Sequence, residues 1–157
     1  HSPVARGMKQ PKQPVSVLVV IYTSALDVLL LERAAHPGFW QSVTGSKEGQ
    51  ETLSATAARE VAEETGLDVS SFVLSDWQQT NRYEIFAEWR HRYAPGVTEN
   101  TEHVFGLLLP ERQAITIAPG EHSQWQWLGW KEAAEKCFSS SNRDAILELP
   151  ARLQQVR

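Results

Sequence analysis

Glu60, Glu63 and Glu64 are the side chains of this chain whose type and spacing most directly suggest chemistry. They lie in the stretch GSKEGQETLSATAAREVAEETGL, residues 45–67. Ala55, Ala57, Ala58 and Ala62 among strong helix formers predict a helix up to Glu64, and Gly66 stands where a left-handed cap would end it. On that helix Glu60 and Glu64 are one turn apart with Glu63 beside both, so the carboxylates share a face. Leu53, Ala57 and Val61 run along its border as an apolar stripe. Like charges so placed cost an isolated helix a few tenths of a kcal/mol per pair. A hard divalent cation would offset that repulsion, because Mg²⁺ takes oxygen ligands and is usually held by a few carboxylates plus substrate phosphates. The plainer alternative is a solvated acidic face.

The longer spacing decides between the two. It reads Gly, five residues, Glu, seven residues, then Arg-Glu-apolar-any-Glu-Glu-any-Gly-apolar, met by Gly45, Glu51, Arg59, Glu60, Val61, Glu63, Glu64, Gly66 and Leu67. Its fixed positions each demand one residue type of roughly 5–9% usage, so a chance match falls below about one in a million. This is the signature of the Nudix hydrolases, which the segment resembles as a complete copy. The resemblance implies an α/β fold, a Nudix-type α/β/α sandwich with a central mixed sheet and a catalytic loop-helix-loop. It also implies hydrolysis of a diphosphate joined to another group, with Mg²⁺ as cofactor and Mn²⁺ able to substitute.

Glu60 and Glu64 are expected metal ligands, because one helical turn aims both at one point. Glu63 is a third ligand or the base. The carbonyl of Gly45 matches a ligand position of the family, and Glu51 and Arg59 match the pair that braces loop against helix. Gln50 and Ser46 occupy places where many members carry glycine, and neither change removes a ligand.

Segments outside this motif speak to the substrate. Pro14-Val15-Ser16, the run from Phe39 to Ser46, Tyr83-Glu84-Ile85-Phe86, the run from Arg90 to Glu102, and Ser141-Asn142-Arg143 resemble a bacterial branch of the same family. That branch releases pyrophosphate from 7,8-dihydroneopterin 3′-triphosphate in folate synthesis and leaves the monophosphate. The resemblance implies that Lys12 and Arg33 supply positive charge to the triphosphate. Thr44 would touch phosphate or pterin, and Tyr83, Glu84, Ile85 and Phe86 would line the pterin side. Ser139 would be a late polar contact, and Glu121 a further carboxylate on the metal or an alternative base. His122 carries no assigned role. Without the resemblance, Lys12 and Arg33 read as solvated charges, the tryptophans as packing, and His91 and Arg92 as braces of the turn at Pro95.

Two alternatives compete: a broader nucleoside triphosphate pyrophosphohydrolase, and a non-catalytic binding module of the same fold. The module is disfavoured because Glu60, Glu63 and Glu64 are all present. With 157 residues, 41% of them hydrophobic, and a net charge of −4, the chain suits one globular domain acting on a small-molecule triphosphate, as monomer or homodimer. The acidic balance argues against nucleic acid, and no apolar run suggests a membrane span. Cys137 is the single cysteine, which points to a reducing, cytoplasmic setting. The domain is expected over 8–157, with 1–7 read as a tag remnant ahead of Met8.

To position the acidic helix, the sequence predicts strands at 15–22 and 28–31 and a turn at Pro37-Gly38. Further strands are expected at 68–74, 77–86, 86–92, 104–109, 114–117 and 125–128. Helices are expected at 130–138 and 142–155, the latter capped by Ser141 and interrupted by Pro150.

Overall fold

The β-branched run after Pro14 is buried along nearly its whole length, and the fold is assembled around it. A computed structural model describes residues 10–156, so the expected tag remnant at 1–7 lies outside the described residues. The elements are β1 (Val15–Thr23), β2 (Asp27–Arg33), β3 (Trp40–Gln41), β4 (Val43–Ser46), β5 (Val73–Glu84), β6 (Glu99–Leu109) and β7 (His122–Gly129), with helices α1 (Leu53–Thr65), α2 (Trp130–Lys136), α3 (Ser140–Leu147) and α4 (Leu149–Val156). All seven strands join one sheet, in the order β3-β2-β1-β6-β5, with β4 added to β1 and β7 to β2. β1 runs parallel to β6 and antiparallel to β2 and β4, so the sheet is mixed.

Alternation along β1 sends its side chains to two separate cores. Val17, Val19 and Ile21 pack with Ala57 and Val61 of α1, joined by Phe105 and Leu107 of β6. Leu18, Val20 and Tyr22 pack with Ala133 of α2, Ile146 of α3 and Leu153 of α4. The result is the expected α/β/α sandwich with a mixed sheet, α1 on one face and the three C-terminal helices on the other.

Several expectations change. The stretch 86–92 is not a strand: Ala87–Arg92 forms a 3₁₀ turn, closed by Arg90 Nε donating to Ile85 O at 3.0 Å. Likewise 114–117 pairs with no strand. Its backbone touches the end of α1 through one bond, from Thr116 N to Thr65 O. Within 68–74, Val69–Ser71 coils as a 3₁₀ turn before β5 begins. The last helix divides at Glu148, which leaves Pro150 in the first turn of α4, where its missing N–H is harmless. Its N-cap is Ser139, accepting from Asn142 N, rather than Ser141.

Candidate active site

α1 is fixed to the sheet by the loop that precedes it. Thr52 caps the helix by accepting from Ala55 N at 3.1 Å, and Gly66 ends it with φ 77°. Arg59 spans the two: Nε donates to Glu51 Oε2 at 2.7 Å, while Nη2 donates to Glu51 Oε1 and Ser46 O, each at 3.0 Å. Glu51 also accepts from Glu48 N and Thr56 Oγ1. Hydrogen bonds from Arg59, then from the Glu48 backbone, hold its carboxyl down at about 2.

This brace delivers the acidic face. Arg59 Nη1 donates to Glu60 Oε1 at 2.6 Å and lies 3.6 Å from both Glu48 and Glu63. A Cβ on Gly45 would collide with the Glu60 carboxyl, so β4 and α1 meet through a residue with no side chain. Glu64 is buried, and its Oε1 has no hydrogen-bond partner. Burial, then Glu60 beside it, push its carboxyl far above the ordinary range, with Glu121 and Glu63 adding like charge. His122 Nε2 lies 3.6 Å from Glu64 Oε1. Burial lowers the His122 pKa, which favours a neutral ring whose Nδ1 is also buried and unpartnered.

Among the described residues no three acidic, histidine or cysteine side chains converge into a closed ligand shell. Mg²⁺ does not ask for one, since waters and phosphate oxygens complete its octahedron. The donors here are hard oxygens, one of them orphaned inside the protein, and they fit such an ion. Glu60, Glu64 and the Gly45 carbonyl are the groups that could hold it, with Glu63 half exposed at the rim.

Facing these carboxylates is a cluster of cations. Lys12, Arg33 and Arg92 form no ion pair with any acidic side chain among the described residues. Lys12 N donates to Arg92 O at 2.7 Å, which pins the segment ahead of β1 to the 3₁₀ turn. The Trp89 ring lies 5.5 Å from the Arg33 guanidinium and 6.0 Å from that of Arg92. Burial and then Arg92 lower the pKa of both Lys12 and Arg33, while Glu60 and Glu64 respectively oppose this. The two charge clusters therefore sense each other. A cleft of about 610 Å³ opens beside Lys12, Arg92 and Tyr93, and one of about 310 Å³ lies between Lys12 and the Ser46–Gly49 loop.

The remaining expected contacts spread along one wall. Tyr83 is partly exposed and its Oη receives Asn100 Nδ2 at 3.0 Å. Phe86 is exposed with its ring edge-on to Trp89 at 5.3 Å, whereas Ile85 is buried. Glu84 points outward into an ion pair with Arg90 at 2.8 Å. Thr44 sits opposite Leu18 on β4, one residue before Gly45, and Ser139 spends its hydroxyl on the α3 cap and on Ser141. Sequence reasoning gave no role to His122 and none at the cation cluster to Trp89. For His122 the one available signal was adjacency to Glu121.

The fold and this site define a Nudix protein, and the chain belongs to that family: the NUDIX domain matches residues 12–149. It is 50% identical over 138 residues to the dihydroneopterin triphosphate diphosphatase of Escherichia coli strain K12, covering 86% of this chain and 91% of that protein. It is 44% identical to the enzyme of the same name from Haemophilus influenzae, covering 88% and 89%. Among solved structures, the E. coli dihydroneopterin triphosphate pyrophosphohydrolase superposes with a TM-score of 0.80 over 88% of this chain and 95% of that one. A Nudix hydrolase structure from Listeria monocytogenes, 26% identical, superposes with a TM-score of 0.77 over 91% and 96%.

Proposed function

We propose that this chain hydrolyses 7,8-dihydroneopterin 3′-triphosphate to the monophosphate and pyrophosphate, as an Mg²⁺-dependent Nudix enzyme of folate synthesis in the cytoplasm. Half-identity to enzymes of that name along nearly their whole length supports the substrate. The observation that carries the chemistry is the braced acidic face of α1 set against three cations with no acidic partner of their own.

In this reading Lys12, Arg33 and Arg92 receive the triphosphate and draw its negative charge toward α1. Glu60 and Glu64, with the Gly45 carbonyl and Glu121, hold Mg²⁺, which when bound neutralises phosphate oxygens and acidifies the attacking water. Glu63, exposed at the rim and 3.6 Å from Arg59 Nη1, would take the proton of the attacking water, with Glu121 as the alternative base. Arg59 keeps Glu60 aimed and leaves the reacting groups alone.

The test is pyrophosphate release from the pterin triphosphate and from a panel of nucleoside triphosphates, with and without Mg²⁺. Preference for the pterin substrate is expected, and equal or faster turnover of a nucleotide would replace this substrate assignment. Glu60→Gln and Glu64→Gln should each lower kcat by at least about 100-fold while leaving a cooperative thermal transition. Near-normal rates in both variants would remove the metal assignment.

A further inference from the structure

Glu102 lies on β6, 6% exposed, on the sheet face away from α1. A buried carboxylate is costly unless donors satisfy it. Glu102 has two, and both end on the same atom: Ser141 Oγ at 3.0 Å and Asn81 Nδ2 at 3.3 Å donate to Oε1. Its other oxygen, Oε2, has no donor among the described residues and is not sealed from solvent.

Two positions back on the same strand face, Asn100 is 2% exposed. Its Nδ2 is fully used, donating to Ser16 Oγ at 2.8 Å and to Tyr83 Oη at 3.0 Å. Its Oδ1 is buried with no partner. Two acceptors, one charged and one neutral, thus stand on one wall without donors. Native proteins rarely leave a buried acceptor such as Asn100 Oδ1 unmatched, and Glu102 Oε2 beside it is open to receive a donor from a ligand.

The wall leads to the cations. Tyr83 links Asn100 to the neighbourhood of Tyr93, which lines the cleft with Lys12 and Arg92. A ring placed against Glu102 therefore stands on the wall that leads to Lys12 and Arg92. The donors required are adjacent N–H groups on one edge of a flat ring, which a 2-amino-4-oxopyrimidine supplies through its ring N–H and its amino group. Glu84, which the family resemblance would set on the pterin side, pairs with Arg90 at 2.8 Å.

We propose that Glu102, with Asn100 beside it, is the specificity-determining residue that reads the 2-amino-oxopyrimidine edge of the substrate ring. This rests on the pterin assignment above. Burial raises the Glu102 pKa, and the bonds from Ser141 and then Asn81 act against that rise.

Glu102→Gln preserves volume and can still accept from Ser141 and Asn81, but it turns a donor toward the ring. With the pterin triphosphate it should raise KM about 100-fold, with most of the loss falling on KM rather than kcat. Unphosphorylated 7,8-dihydroneopterin should inhibit the wild type competitively and lose that inhibition in the variant, whereas inorganic triphosphate should inhibit both alike. An analogue lacking the 2-amino group should bind the wild type about as weakly as dihydroneopterin binds Glu102→Gln. Ser141→Ala, which leaves the carboxylate in place but loosens it, should weaken dihydroneopterin inhibition about 3- to 10-fold and covers the case in which Glu102→Gln fails to fold. Unchanged KM and unchanged dihydroneopterin inhibition in the folded variants would overturn the proposal. A wild type that releases no pyrophosphate from the pterin triphosphate would instead overturn the assignment on which it rests.

Discussion

A methyl group on Gly45 would land on the Glu60 carboxyl, and one on Gly106 would land on the ring of Trp77. The same chemical change has opposite consequences at the two sites. The Glu60 carboxyl is the tip of a flexible side chain and can swing aside, so Gly45→Ala should shift the melting temperature by only a few degrees. Activity should fall at least about 100-fold, because a displacement of about 1 Å in a positioning group is enough to do so. Trp77 is 7% exposed and cannot swing, since it packs on Tyr22 and under Arg152. Gly106→Ala should therefore destabilise by about 1–3 kcal/mol and leave the turnover of the folded fraction intact. Thermal melts run beside kcat/KM measurements check both. Loss of stability without loss of turnover in Gly45→Ala would contradict the placement of Glu60.

The loop and α1 act as one element because Glu51 and Arg59 close it. The folded Glu51 pKa of about 2 lies below its ordinary value of 4.5, so its stabilisation is complete above pH 4.5 and is lost as the pH falls from 4.5 toward 2. Glu51→Gln should cost about 1–2 kcal/mol at pH 7, discounted for solvent screening, and the gap to wild type should narrow as the pH drops through that window. Urea unfolding at a series of pH values measures it, and a constant gap would show that the ion pair is not its source. This element was legible in the sequence because its determinants are local: helix formers, a cap, a terminal glycine and carboxylates one turn apart. The segment 86–92 misled for the opposite reason. Its two large aromatics, Phe86 and Trp89, suit a strand, but the bond from Arg90 to Ile85 O and the closure of Trp89 N onto Phe86 O coil it instead. Ser141 likewise looked like a cap because Asp144 follows it at the right spacing, whereas Ser139 makes the bond to Asn142 N.

At the scale of the whole molecule, the cation cluster draws Lys12 from ahead of β1, Arg33 from the end of β2 and Arg92 from the 3₁₀ turn. No local pattern announces that meeting. Lys12 and Arg33 were reached through resemblance alone, and Trp89 could be read only as packing, since topology rather than spacing places it between two guanidiniums. Like charges held together repel, and what opposes them here is the Lys12–Arg92 backbone bond and the Trp89 face. Each cation–π contact is worth about 0.5–1 kcal/mol at such sites. Trp89→Ala should then let both arginines drift and raise KM for the triphosphate about 3- to 10-fold, with a smaller change in kcat. Arg92→Ala should raise KM by a similar or larger factor, but the two variants separate on salt. Removing a charge flattens the dependence of KM on ionic strength, whereas removing the ring leaves every charge present and the slope close to wild type. Arg92→Lys should restore the slope with only part of the affinity, because an ammonium lacks the planar fork that can meet a phosphate bidentately. If Trp89→Ala keeps the wild-type KM, the ring is a bystander and the cations are aligned by the backbone bond alone.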